Sequence, residues 1–335
     1  MNSPATVEPV VDIAVDADRA AILELLQDSF GSVQRSSSTS RNQDFWKWKY
    51  QASSFGPAFV QVIRIEGQVA AAGCLWPFTL RWNEHLLQAL QPCDTAVHPA
   101  FRRRGLFTQL NIARKALAVE RGVDLLFNFP NRNSLPGYLH SGWQFVGKVP
   151  WLVRVMKPIA VVRDHFRPGK STPIEIPHTF RLSMEVAKSL RSECVDTPDR
   201  LSIERAPGFW EWRFCKHPTR QYGLIQAGSN SKDFALFTLS VKSSGLIEMI
   251  VVDLVVDPAR VSDLLVVILN SARSLGAGFV AMMRPQAFAL APFIRRGFLP
   301  LREKNLAILP VAPDLPVELS DIGFWDFRAA MHDSI

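Results

Sequence analysis

The segment Val97-His-Pro-Ala-Phe-Arg102-Arg103-Arg104-Gly105-Leu106-Phe107 holds the residues best placed for chemistry. An apolar strand pattern ends at Val97, a basic turn with a glycine follows, and a helical pattern begins at once. The first N–H groups of a helix lack internal partners and lie at the positive end of its dipole. This strand-turn-helix therefore predicts an anion cradle. Arg102, Arg103 and Arg104 would add forked donors suited to phosphate. The segment lacks the Gly-Lys-Ser/Thr of a phosphate loop and the GxGxxG of a dinucleotide fold. The plainer alternative is a solvated arginine-rich turn.

Asp94 lies just upstream, a carboxylate in an otherwise apolar strand. Burial would raise its pKa toward that of a useful base. A structural hydrogen-bonding role is the alternative. Cys93 reads as a buried small hydrophobe, not a nucleophile. Glu84 and His85 are further base candidates through a water relay, while His98 falls on the turn and His140 on an exposed helix side.

Positioning these groups requires an ordered set of elements. Ala21, Ile22, Leu25 and Leu26 predict a helix over 17–29, stopped at Gly31. Residues 35–41 are small, polar and read as mobile. Phe45–Tyr50 reads as a short helix with two tryptophans. Strands follow at 58–65, 68–79 and 86–97, with turns at Glu66-Gly67 and Asn83-Glu84. Leu106, Leu110, Ala113 and Leu117 predict one buried face of a helix over 105–120, ended by Gly122. A central strand at 123–129, a short helix to about Ser141 and a strand over 144–155 complete the pattern. The class is α/β, or α+β: a mixed, mostly antiparallel sheet flanked by helices.

The chain also resembles itself. Phe45-Trp-Lys-Trp-Lys-Tyr matches Phe209-Trp-Glu-Trp-Arg-Phe at an offset of 164. Asp94-Thr-Ala-Val-His-Pro-Ala matches Asp253-Leu-Val-Val-Asp-Pro-Ala at 159, and Tyr138-Leu-His-Ser-Gly-Trp matches Phe293-Ile-Arg-Arg-Gly-Phe at 155. Three matches in one order predict two tandem copies of one fold, near 1–163 and 175–335, with the proline-rich 164–178 as linker. Recurrence of the tryptophan pairs favours core packing over ligand stacking. Asp253 persists although the second copy has no glycine after Val256-Asp257-Pro258, and that favours a structural Asp94.

The Val97-His-Pro99 lead-in with Arg102 and Gly105 resembles motif A of the GNAT superfamily of N-acetyltransferases. Phe107 departs from the Gly or Ala usual there. Asn131, Ser134, Tyr138, Gly142 and Trp143 resemble motif B at the expected distance. The resemblance covers about residues 12–155. It implies acetyl-CoA, or another acyl-CoA, as co-substrate, with no metal. It implies contacts from Ala96, Val97, Arg102, Arg103, Arg104, Gly105, Leu106, Phe107, Asn131 and Ser134. Tyr138 stands where the family carries its general acid, with a packing tyrosine as the alternative, and Asp94 on the strand that should bind the pantetheine arm. The second copy, with Phe293 for Tyr138 and Pro285 for Asn131, is expected to be degenerate and to shape the acceptor site.

Composition sets outer bounds. Of 335 residues, 47% are hydrophobic and 21% charged, which fits globular domains and not disorder. Four scattered cysteines without CxxC argue against a zinc cluster or a disulfide framework and suit a reducing cytoplasm. No span for a membrane helix and no secretory leader pattern are expected. The net charge of +7 lacks a long basic run, so an anionic co-substrate is favoured over nucleic acid. The expected activity is N-acylation of an amine on a small molecule or amino sugar. Two alternatives are a Fem-type transferase using aminoacyl-tRNA and a non-catalytic protein that binds CoA or an acylated ligand. Oligomeric state is not set by these features.

Overall fold

The computed structural model describes residues 10–30, 42–166, 169–190, 199–205, 207–228 and 232–332. Gly31 and the polar stretch 35–41 lie outside the described residues.

The first half opens with β1 (Val11–Ile13) and α1 (Arg19–Phe30), whose Ile22, Leu25 and Leu26 face the core. Asn42 caps α2 (Gln43–Trp46) by accepting the Phe45 N–H at 3.0 Å, and a wider helical turn continues through Lys47–Gln51. Strands β2 (Phe59–Ile65), β3 (Gln68–Trp82) and β4 (His85–Val97) form an antiparallel meander. Both residues of the β2–β3 turn, Glu66 and Gly67, take left-handed backbone, as a tight hairpin of that hand requires. Then come α3 (Leu106–Glu120), β5 (Leu125–Asn128), α4 (Leu135–His140) and β6 (Gln144–Val155).

Between the halves lie α5 (Pro158–Phe166), β7 (Ser171–Pro173), α6 (Met184–Ser189) and β8 (Leu201–Ile203). Much of the 164–178 stretch expected as a linker is therefore built into the fold. Residues 164–166 finish α5, and β7 adds an edge strand to the second half, where Ser171 Oγ donates to Glu248 at 2.7 Å. Prolines are tolerated there because an edge strand need not donate on its outer side.

The second half repeats the element order: β9 (Gly223–Gln226), β10 (Phe234–Lys242), β11 (Ile247–Val255), α7 (Val261–Ser274), β12 (Phe279–Met283), α8 (Ala291–Arg295) and β13 (Leu299–Pro310). A two-residue strand, β14 (Trp325–Asp326), pairs with β8.

The halves do not form separate sheets. The order runs β1-β2-β3-β4-β5-β13-β6-β12-β11-β10-β7, so each half's last strand pairs in the territory of the other. β13 lies against β5, and β6 lies against β12. The registers are related by the same exchange. Leu299 faces Val153 while Ile308 faces Gln144, and Ala307 faces Asn128 while Met282 faces Leu152. Near the centre, Lys148 pairs with Glu303, 155 positions on. Such a self-complementary contact has the form of an isologous interface, here inside one chain. The largest core cluster contains Trp46, Trp48, Trp76, Trp210, Trp212 and Trp325 from both halves.

Two features of β4 position the site. It pairs in parallel with β5 at Ala89–Leu125 and Leu90–Leu126, and the ladder ends there. On its other side the register with β3 shifts, so that Asp94 and Thr95 together oppose Gly73. Asp94 takes φ +46 at this bulge. A bulge bends its strand, and here it lies where β4 leaves β5.

Candidate active site

At the end of β4, the Phe101 N–H donates to the His98 carbonyl at 2.9 Å and Arg102 Nε reaches back to the Val97 carbonyl at 3.3 Å. The chain then turns through left-handed backbone at Arg103 (φ +63) and Gly105 (φ +76). The Gln109 N–H is bonded to the Gly105 carbonyl at 3.0 Å, so the N–H groups of Leu106, Phe107 and Thr108 precede the helical ladder of α3. A Cβ built on Gly105 would meet nothing within 4 Å. The cradle thus opens outward, and a side chain there would occupy the space a ligand needs. Arg102, Arg103 and Arg104 are exposed, and none forms an ion pair among the described residues. The Arg104 guanidinium lies 5.2 Å from the Phe101 ring centre. The predicted residues of this segment come together on one turn at the N-terminus of α3, where helix N–H groups lack internal partners.

The stretch of β4 that runs on beyond its pairing with β5 is the second component, and Ala96 and Val97 lie on it. Tyr138 on α4 is buried, edge-on to Phe107 at 5.3 Å and to Trp143 at 4.8 Å. Phe107 links the turn to this tyrosine. Its ring also explains Gly137, since a Cβ there would come within 2.7 Å of the ring. The departure at Phe107 is therefore matched by a glycine across the helix contact. Arg114, buried on α3, donates to Thr95 Oγ1 on β4 at 2.7 Å. Burial raises the phenol pKa above its ordinary value, and the Arg114 charge works against that rise.

Asn131 and Ser134 shape the entry to α4. Asn131 Oδ1 accepts the N–H groups of Asn133 and Ser134, each at 2.9 Å. Both residues lie near the surface end of the site's elements, and the short helix they start carries Tyr138.

Residues 11–146 match the sequence model of the acetyltransferase (GNAT) domain. This stretch is a GNAT acetyltransferase domain. The whole chain resembles larger solved structures at low identity. A GCN5-related N-acetyltransferase from Anabaena variabilis superposes with a TM-score of 0.65 at 11% identity, over 91% of this chain and 73% of that one. A probable N-acyltransferase from Enterococcus faecalis gives 0.60 at 13%, with 91% and 73% covered. Saccharomyces cerevisiae N-myristoyltransferase with bound myristoyl-CoA gives 0.58 at 10%, with 92% and 84% covered. At these identities the likeness is one of fold. No curated protein matches the sequence. None of the described helices is long and apolar enough to cross a membrane.

Other predicted residues of the GNAT domain occupy different surroundings. Asp94 is buried and bound by Lys49 Nζ at 2.6 Å and by the Tyr50 hydroxyl at 2.7 Å, whereas its neighbour Thr95 serves Arg114. Both contacts fall on the same carboxylate oxygen, Oδ2. Asp253 in the second half is held in the same manner, by Arg205 at 2.9 Å and by the Trp210 indole at 3.0 Å. Cys93 faces Cys74 across β3 and β4, and burial pushes the Cys74 thiol well up. Glu84 and His85 are exposed at the far end of β4, roughly 30 Å from Thr95 by strand rise. The water relay considered for them does not reach the site. His98 accepts the Ala100 N–H on the turn, and His140 is exposed.

Three residues of the site escaped the sequence reading: Gly73, Thr95 and Arg114. Arg114 was detectable, because it shares a helix face with Leu110 and Leu117 and stands as a charge in an apolar stripe. Ala113, assigned to that face, is only half-buried.

The second half lacks the cradle for a visible reason. After Val256 the backbone makes no left-handed turn before α7. Asp257 caps the Ala259 N–H at 2.9 Å, and Arg260 pairs with Asp233 at 3.0 Å. The Ala259 N–H and the Arg260 guanidinium are thus engaged by Asp257 and Asp233. A cavity of about 490 Å³ lined from Arg181 to Tyr222 also lies in this half and shares no residue with the site.

Proposed function

We propose that the chain is an acyl-CoA-dependent N-acyltransferase, with acetyl the simplest group, acting on an amine of a small molecule or amino sugar. The observation that carries this is one continuous arrangement. An outward-facing turn at 102–105, at the start of a 15-residue helix, leads through Phe107 to the buried Tyr138 of α4, and β4 runs on past its short parallel pairing with β5. The amides of the turn and the three arginines suit a pyrophosphate. The diverging edge of β4 at Ala96 and Val97 suits the amide-bearing arm, and the Asn131–Ser134 turn borders the same site.

Direct attack requires a neutral amine, support for the oxyanion and a proton for the departing thiolate. Tyr138 supplies the proton in this reading. A phenol whose pKa is raised by burial stays protonated at neutral pH, as an acid must. Asp94 holds the β4 bulge through Lys49 and Tyr50. The base role expected for it is open to the test given below.

We further propose that 1–163 and 175–335 are two copies of one fold, with the second closing the sheet and shaping the acceptor site. The experiment is thiol release from acetyl-CoA with amino sugars and diamines as acceptors. A functional enzyme shows acceptor-dependent thiol release that Tyr138→Phe slows. CoA binding with no release on any acceptor contradicts an acyltransferase with these substrates.

A further inference from the structure

In the second half, the loop from Phe214 to Tyr222 borders a cavity of about 490 Å³ together with Arg181 and Leu182. The loop is fixed from several sides. His217 Nδ1 accepts the Thr219 N–H at 3.2 Å and the Arg220 N–H at 3.1 Å. Gln221 Oε1 accepts the Ile176 N–H, and the Gln221 carbonyl accepts the Thr238 hydroxyl, both at 3.0 Å. The cavity is therefore pre-formed, and its volume lies within the range of small-molecule sites, roughly 300–1,000 Å³.

The lining is rich in donors. Arg181 and Arg220 border the cavity, and among the described residues no aspartate or glutamate lines it. Arg181 Nη2 also meets the exposed Glu175 at 3.0 Å. Because His217 Nδ1 accepts, the ring proton sits on Nε2, a further donor. The Tyr222 hydroxyl and Thr219 Oγ1 are both buried without a hydrogen-bond partner. Unmatched buried hydroxyls are destabilising, and two along one short loop need a reason. The shared fold does not supply it. At the offset of 164 that pairs the Trp-x-Trp segments, Ser53, Phe55, Gly56 and Ala58 stand where the second half has His217, Thr219, Arg220 and Tyr222.

We propose that this cavity binds a phosphate monoester of a small molecule. The two guanidinium groups take the phosphate charge, and the Tyr222 and Thr219 hydroxyls donate to its remaining oxygens. A phosphate suits the site better than a carboxylate because it offers three terminal oxygens to this set of donors. Leu182, Phe214 and Pro218 give the cavity an apolar side for the ester's carbon body. The site shares no residue with the turn at 102–105, and the proposal does not depend on acyl transfer.

The Tyr222 ring reports on the site. Protein labelled with 3-fluorotyrosine contains three tyrosines, so the Tyr222 fluorine resonance is assigned by its loss in Tyr222→Phe. Glucose 6-phosphate, glycerol 3-phosphate, inorganic phosphate and citrate are titrated into the whole chain at low ionic strength. At least one of the two esters should move the Tyr222 resonance saturably, with a Kd at or below about 1 mM and tighter than that of inorganic phosphate. Gly105→Glu, which blocks the turn at 102–105, should leave that titration unchanged. Arg181→Gln and Arg220→Gln should each weaken it by about 10-fold. Tyr222→Phe, followed by isothermal titration in the Gly105→Glu background, should weaken ester binding by about 5–10-fold. Its urea midpoint should not fall, because the ring stays on Phe214 at 4.8 Å and only an unmatched hydroxyl is lost. That variant carries the test if Arg220→Gln does not fold. A Tyr222 resonance unmoved by either ester at tens of millimolar, or moved by citrate alone, overturns the proposal. Inorganic phosphate binding as tightly as both esters, or undiminished ester binding by Tyr222→Phe, also overturns it.

Discussion

The indole N–H of Trp48 donates to the carbonyl of Trp212, and the indole N–H of Trp212 donates to the carbonyl of Trp48, both at 2.8 Å. The rings stack with centres 6.1 Å apart. These residues lie 164 positions apart and occupy matching places in the two Trp-x-Trp segments. Each half therefore satisfies a buried carbonyl of the other. The exchanged strands β6 and β13 tie the halves in the same reciprocal way.

Trp212→Phe removes one donor and strands the Trp48 carbonyl. The expected loss is about 1–3 kcal/mol of stability. Trp48→Phe should cost a similar amount, and the double variant should show coupling, because the rings touch. Urea unfolding of the four proteins measures this. Strictly additive losses would contradict a shared contact.

Asp94→Asn leaves the Lys49 ammonium buried without its carboxylate. Breaking a buried pair from one side costs about 3–5 kcal/mol. The expectation is a large fall in unfolding midpoint with the pH dependence of kcat unchanged. Loss of an ionisation from the kcat profile, with stability intact, would make Asp94 the base after all.

Tyr138→Phe keeps the ring packed against Phe107 and Trp143 and removes only the hydroxyl. Loss of a general acid costs about 10²–10⁴ in rate. The fall should appear in kcat, with KM for acetyl-CoA nearly constant, in steady-state thiol release.

His217 lies with its ring 4.2 Å from Trp48, and its Nδ1 accepts the Thr219 and Arg220 N–H groups at 3.2 and 3.1 Å. Burial holds its pKa well below the ordinary value, and Arg213, Arg220 and Lys49 push it further down. The unfolded chain thus binds a proton that the folded chain refuses. Stability should fall as pH drops below about 6.5, by up to about 1.4 kcal/mol per pH unit from this group. In His217→Gln that slope should flatten, measured by urea unfolding between pH 5 and 7.5.

Much of the site was legible in residue spacing, and the reasons are physical. Leu106, Leu110 and Leu117 marked α3, and the apolar run of β4 ended in a basic turn, so the strand-turn-helix geometry was legible. The exchange of β6 and β13 was not legible. Both strands run from an exposed first half into a mostly buried second half, so their patterns do not say which partner each takes. The 164–178 stretch misled because edge strands accept the prolines that mark linkers. Arg114 left a mark that spacing does show, a charge on the helix face of Leu110 and Leu117. The bulge at Asp94 and Thr95, which sends adjacent side chains to different partners, depends on tertiary register and leaves no local mark.

The proposed activity requires the turn at Arg102–Phe107 to hold the nucleotide end of an acyl-CoA. Isothermal titration of the whole chain with acetyl-CoA, set beside Gly105→Glu, tests this most directly. Glutamate at a left-handed position places bulk and negative charge where the phosphates would sit. The expected result is saturable, one-to-one binding by the wild type and none at millimolar acetyl-CoA by a folded Gly105→Glu protein. No binding by the wild type, or equal binding by both, would contradict the proposed activity.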